Sequence, residues 1–116
     1  MKNSILLKKA DLLAKDVYKI VRHFPKEELY GLNSQLRRSI LFVPLNIIEG
    51  YARMAKNEKR RFFEIAYASL KEAKYLLYFA FGENYLSRDE YIKIIQLAEE
   101  VAKILWANIK TFKEKC

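Results

Sequence analysis

The sequence predicts an all-α protein, an up-down-up-down four-helix bundle, and three observations carry that reading. Only three glycines and two prolines occur in 116 residues, too few turn formers for a sheet protein and too little biased sequence for a disordered chain. Apolar residues recur at three- and four-residue steps through four stretches of roughly 20 to 26 residues, about 30 to 39 Å each at 1.5 Å per residue. The connections between them are short, so successive helices run antiparallel. With 52% hydrophobic residues, residues 1–116 read as one domain with one core.

In the first helix Leu6, Ala10, Leu13, Val17, Ile20 and Phe24 share a face, while Lys8, Lys9, Asp11, Lys15, Asp16, Lys19 and Arg22 fill the other side. Phe24 to Gly31 reverses the chain, because Pro25 pushes its predecessor out of helical geometry and Gly31 marks a turn. Asn33 or Ser34 is the expected cap of the second helix, which runs to about Met54. That helix is apolar on most sides yet carries Pro44 in its middle, at a cost of roughly 3 kcal/mol. Burial of Ile40, Leu41, Val43, Leu45, Ile47 and Ile48, worth roughly 1.5 to 3 kcal/mol each, offsets it and predicts a bent, deeply packed helix.

A basic connector, Arg53 to Arg61, leads into the third helix, with Asn57 as the expected cap. Its inner stripe reads Phe62, Ala66, Ser69, Ala73, Leu76 and Ala80, flanked by Phe63, Leu70 and Leu77, and its small residues permit close approach of a neighbour. Gly82 ends it. Ser87 and Glu90 form a capping box for the fourth helix, where Tyr91, Ile94, Ala98, Val101, Leu105, Ile109 and Phe112 face inward and Glu99 is placed to pair with Lys103.

Several function classes are disfavoured by what the chain lacks. The longest apolar run, Ile40 to Leu45, is far short of the roughly 18 residues of a membrane span, and Ile5 to Leu7 is too brief for a signal peptide. A soluble, cytoplasmic protein without membrane contact is expected. Cys116 is the sole cysteine, an incidental terminal thiol that excludes an internal disulfide or cysteine-rich zinc site. His23, the sole histidine, suits the end of the first helix, where its charge complements the dipole. There is no Glu-x-x-His pair and no glycine-rich phosphate loop, and most acids have basic neighbours at helix-surface spacing. No catalytic residue, metal site or cofactor is assigned, and the chain is read as a non-enzyme.

The net charge is +8, and it is uneven: residues 1–56 hold 11 Lys/Arg against 5 Asp/Glu, residues 57–116 hold 11 against 9. The positive field belongs to the first half, which points to a polyanionic partner such as nucleic acid, the other reading being a basic surface that serves solubility alone. Arg37, Arg38, Arg53, Lys56, Lys59, Arg60 and Arg61 stand against only Glu49 and Glu58 between positions 37 and 61, the electrostatic footprint of nucleic-acid binding. The other reading is a solvated face with internal pairs such as Arg60 to Glu64. No base-reading motif is visible, so recognition through backbone phosphates is expected, with RNA the expected ligand.

Gln35, Ser39, Phe42, Asn46, Glu49 and Arg53 line one face of the second helix at four- and three-residue steps. A hydrogen-bonded seam between subunits, with Glu49 paired to an arginine, is favoured over a ligand groove. Tyr67, Tyr75, Tyr78 and Phe79 stand off the inner stripe of the third helix. Tyrosine tolerates a half-exposed surface, but aromatic enrichment combined with the surplus apolar faces of the second helix favours self-association.

The runs Phe24-Pro-Lys-Glu-Glu-Leu-Tyr-Gly-Leu32, Ser34-Gln-Leu-Arg-Arg-Ser39 and Val43-Pro-Leu-Asn-Ile-Ile-Glu-Gly-Tyr-Ala-Arg53 resemble the bacterial four-helix-bundle proteins encoded in intervening sequences of 23S rRNA genes. The resemblance covers nearly the whole chain and is strongest over residues 24–53, where Pro25, Gly31, Gln35, Arg37, Arg38, Pro44, Asn46, Glu49 and Gly50 fall on the pattern. It implies a basic homopentamer with a central channel, not known to be an enzyme. It also implies kinship with the accessory protein of diversity-generating retroelements, which binds a reverse transcriptase and nucleic acid. A nucleic-acid-binding homopentamer is therefore the leading expectation. A scaffold that recruits a protein partner such as a reverse transcriptase is the alternative.

Overall fold

The computed structural model describes residues 4–114, and Cys116 lies outside the described residues. Among them are four α-helices, α1 (Ile5–Val21), α2 (Leu32–Ala52), α3 (Lys56–Gly82) and α4 (Arg88–Glu114), with a short 3-10 turn at Lys26–Glu28 and no strand. Each helix packs on the next and α1 closes the ring against α4, while the diagonal pairs α1/α3 and α2/α4 face one another across the core. The bundle measures 46 × 25 × 23 Å, the length expected when a 27-residue helix spans about 40 Å.

The core follows the three- and four-residue steps of the sequence. Leu6, Ala10, Leu13, Val17 and Val21 of α1 meet Leu36, Ile40, Val43 and Ile47 of α2, Ala66, Leu70, Ala73, Leu77 and Ala80 of α3, and Ile94, Ala98, Val101, Leu105 and Ile109 of α4 in one cluster. Two expectations shift. The stripe of α3 starts at Phe63, which is 1% exposed, whereas Phe62 is half-buried outside the core. Ile20, Tyr91 and Phe112 pack only partly buried against the cluster, and Ala14 and Val21 join it.

Phe63 is fixed by the close approach of α2. A Cβ on Gly50 would lie 2.6 Å from two Phe63 ring carbons, so only glycine leaves room for the ring. The ring meets Tyr51 edge-on at 5.6 Å and Phe112 edge-on at 5.4 Å, the geometry that aromatic quadrupoles prefer. Tyr51 continues inward to Ser4, whose Oγ lies 2.7 Å from its hydroxyl and also accepts from the Leu7 amide to cap α1.

The caps of α2 and α3 differ from the expected ones. Asn33 lies inside α2, buried, and its Nδ2 donates to the Val21 carbonyl at the end of α1. The α2 amide of Leu32 is met instead by Glu28 Oε1, while Glu28 Oε2 accepts from the Tyr85 hydroxyl. That carboxylate holds the Tyr85 phenol above its ordinary pKa. Asn57 lies within α3, which begins at Lys56 after Ala55. The end of α3 at Gly82 is a Schellman motif in which Asn84, at φ 64°, takes the left-handed position, with Asn84 N–H to Phe81 and Tyr85 N–H to Ala80. The capping box of α4 is present, Glu90 N–H to Ser87 Oγ at 3.1 Å and Ser87 N–H to Glu90 Oε1 at 2.8 Å. Glu99 bonds Lys74 of α3, tying two helices together, and this hydrogen bond holds its carboxyl below the usual range.

α2 runs through Pro44 without a break. Its buried share is smaller than expected: Ile40, Val43 and Ile47 are in the core, but Leu41, Leu45 and Ile48 are 39%, 51% and 37% exposed. Three buried residues at roughly 1.5 to 3 kcal/mol each still exceed the roughly 3 kcal/mol of the proline. The exposed three leave an apolar outer face.

Candidate nucleic-acid interface

The α2–α3 junction gathers five of the seven expected phosphate contacts at one end of the bundle. α2 ends at Ala52 and α3 begins at Lys56, so Arg53 leaves the helix in extended geometry while Lys56, Lys59, Arg60 and Arg61 occupy the first two turns of α3. The guanidinium carbons of Arg53 and Arg61 lie 4.6 and 5.2 Å from the centroid of the Phe62 ring. This explains the place of Phe62: it holds two like charges near each other, each contact worth about 0.5 to 1 kcal/mol at an exposed site.

The five cations are not equivalent. Lys59 Nζ donates to the carbonyls of Gly50 and Tyr51 at 3.4 and 3.3 Å, so its charge meets the negative end of α2. Arg53 pairs with Glu49 at 3.6 Å and Arg61 with Glu58 at 3.5 Å, both solvent-exposed pairs of little strength. Arg60 is half-buried and its Nε is enclosed without a hydrogen-bond partner; it does not pair with Glu64. Lys56 is exposed in the first turn. A helix N-terminus carries roughly half a positive charge and prefers acids. Cations gathered there do nothing for the helix and lower the potential energy of an external anion, which the free amides of the first turn also favour.

Arg37 and Arg38 are elsewhere. From Arg38 to Arg53 the chain climbs 15 residues of α2, about 22 Å, so the expected single patch is two sites at opposite ends of the bundle. Arg38 is exposed, and Arg37 lines a cavity with Arg22 and Lys26 where α1 turns into α2.

The residues expected at a subunit seam also divide. Gln35 and Glu49 are exposed, Phe42 is 44% exposed, and Asn46 folds its Nδ2 back onto the Phe42 carbonyl at 2.7 Å. Ser39, expected on the same face, is turned into the bundle at 2% exposure, with its hydroxyl donating to Leu36. The arginine that Glu49 meets is Arg53 of its own chain. On α3, Tyr75, Tyr78 and Phe79 are 61%, 63% and 44% exposed, whereas Tyr67 is half-buried beside Trp106. Among the described residues no three of His, Cys, Asp and Glu group as metal ligands, and no helix is long and apolar enough to cross a membrane.

A model of the 23S rRNA-intervening sequence protein family matches residues 2–107. The chain belongs to that family. It is also similar to a protein of unknown function from the S23 ribosomal protein family of Bacteroides thetaiotaomicron, whose crystal structure aligns with a TM-score of 0.86 at 22% identity, covering 95% of this chain and 99% of the other. At that identity the likeness establishes the four-helix fold. No curated protein matches the chain.

Sequence reasoning missed a second basic stripe. Lys15, Lys19, Arg22 and Lys26 follow one another at steps of four, three and four residues, and they line the groove between α1 and α2. The helical spacing was the available signal, masked by Asp11 and Asp16 in the same segment.

Proposed function

We propose that the protein binds nucleic acid, RNA foremost, through backbone phosphates at the α2–α3 junction, and that it does so as a homopentamer without enzymatic activity. One observation carries the binding: Lys56, Arg60 and Arg61 in the first two turns of α3 and Arg53 at the C-cap of α2 crowd four cations onto one end of the bundle, and Lys56 does so against the α3 dipole. Like charges gathered so closely repel one another, and an anion outside the fold relieves that repulsion. Five copies of a weak phosphate site on one rigid particle bind a polyanion far more tightly than one. Labelled single-stranded RNA titrated by fluorescence anisotropy should bind at low salt and be released steeply as salt rises. Absence of binding at low salt removes this reading and leaves an interaction scaffold, with a protein partner such as a reverse transcriptase.

The assembly is supported by the outer apolar faces, Leu41, Phe42, Leu45 and Ile48 on α2 and Tyr75, Tyr78 and Phe79 on α3, all exposed in the single chain. Exposed large apolar side chains grouped along a helix face are the usual mark of an interaction surface. Light scattering should give a particle of about five subunits, near 69 kDa as five times 13.8 kDa. Leu45→Glu combined with Tyr78→Glu should dissociate it. A wild-type monomer at micromolar concentration contradicts the assembly.

A further inference from the structure

At the end of the bundle opposite the α2–α3 junction, the last turn of α1, the Pro25 turn and the start of α2 enclose a cavity of about 300 Å³. Three cations stand around it, Arg22, Lys26 and Arg37, and none has a carboxylate partner among the described residues. The neighbouring Glu28 is committed to the Leu32 amide and the Tyr85 hydroxyl. Unpaired cations converging on a concave surface are a site for a strongly charged anion, and a phosphate monoester, near −2 at neutral pH, matches three of them.

The rest of the lining asks for more than phosphate. Tyr18 and Phe24 supply aromatic wall. Asn33, 7% exposed, also lines the cavity; its Nδ2 is used on Val21, but its Oδ1 is buried and accepts no hydrogen bond. An unmet buried acceptor is expensive, and what meets it is an N–H or O–H donor, here one that must displace the atoms now covering Oδ1. Phosphate, flat ring and ring-borne donor occur together in a nucleotide.

We propose that this cavity binds a nucleoside monophosphate unit, its phosphate held by Arg22, Lys26 and Arg37 and its base donating toward Asn33. The unit is either a free nucleotide or the 5′-phosphorylated end of an RNA strand. A strand end has a path onward: an adjoining groove of about 480 Å³ shares Tyr18 and Arg22 and adds Lys19 together with Lys15, which is paired with Asp11 of the same groove at 3.0 Å. The proposal does not rest on binding at the α2–α3 junction.

Isothermal titration of the wild-type protein with AMP, GMP, CMP, adenosine, ribose 5-phosphate and inorganic phosphate tests it. A nucleotide carrying an amino group should bind about tenfold or more tighter than either adenosine or ribose 5-phosphate, each of which lacks one class of contact. Arg22→Glu combined with Lys26→Glu, two residues without ion pairs, should abolish the binding with unchanged circular dichroism. Lys56→Glu combined with Arg61→Glu should leave it intact, which separates this site from the junction. Equal affinity for inorganic phosphate and AMP overturns the nucleotide assignment, as does equal affinity for adenosine and AMP or retention by the Arg22/Lys26 variant. Comparing 5′-phosphorylated with 5′-hydroxyl oligoribonucleotides then identifies the source: preference for the phosphorylated strand marks an RNA end, and indifference marks the free nucleotide.

Discussion

Phe63→Ala should lower the unfolding free energy by about 3 to 5 kcal/mol, the usual cost of emptying a fully buried phenylalanine site. The ring is 1% exposed and wedged between the α2 backbone at Gly50 and the rings of Tyr51 and Phe112, so the site has little freedom to collapse when emptied. Stability of about 0.05 to 0.15 kcal/mol per residue gives a domain of this size about 6 to 17 kcal/mol in all, so the loss is a large fraction. Urea and thermal unfolding followed by circular dichroism measure it. Gly50→Ala isolates the contact. The methyl improves helix propensity by about 1 kcal/mol, but it strikes a ring that cannot retreat, and overpacking of about 1 to 3 kcal/mol dominates. In the Phe63→Ala background the same methyl enters the vacated space, so Gly50→Ala should change sign and stabilise. Additive effects in that cycle would show that Gly50 and Phe63 do not share the space described.

That contact also marks the boundary of what the sequence could tell. The four helices were legible because their apolar residues keep a three- and four-residue step for long stretches. Phe62 and Phe63, adjacent and equally apolar, both fit such a stripe. Which one turns inward is decided by Gly50, thirteen positions away on another helix. Caps failed for the same reason. Asn33 has the right chemistry for an N-cap, but its amide is drawn to the end of α1, and Glu28 takes the cap role from the turn. Glu99 meets Lys74 on a neighbouring helix where local spacing offered Lys103. In α2 the apolar residues surround the axis, so periodicity could not tell Ile47 inside from Leu45 outside. The cations of the junction were visible as a run of charge. The role of Lys59 as a clamp on α2 carbonyls was not, because it depends on how two helices meet.

Lys56→Glu combined with Arg61→Glu should separate binding from stability. Four cations at the junction, Arg53, Lys56, Arg60 and Arg61, are not committed to backbone, and on an oligonucleotide short enough to reach a single junction four phosphate contacts give a logarithmic salt slope of about −2.8 on single strands and −3.6 on duplex. Affinity should then fall about 50- to 150-fold between 50 and 200 mM salt. Removing two contacts halves the slope, leaving a fall of only about 7- to 12-fold over the same range, and weakens low-salt binding to all sequences alike. The fold should be unaffected. A glutamate at position 56 suits the positive end of α3 by about 0.3 to 1 kcal/mol, which offsets most of what Arg61 gives up, about 0.5 to 1 kcal/mol over the Phe62 ring and a few tenths in its exposed pair with Glu58. Unfolding free energy within about 1 kcal/mol of wild type, an unchanged particle mass and a halved salt slope are the joint expectation. If the slope stays at its wild-type value, the phosphates are met somewhere other than the α2–α3 junction, and the cations along α1 between Lys15 and Lys26 become the surface to reverse next.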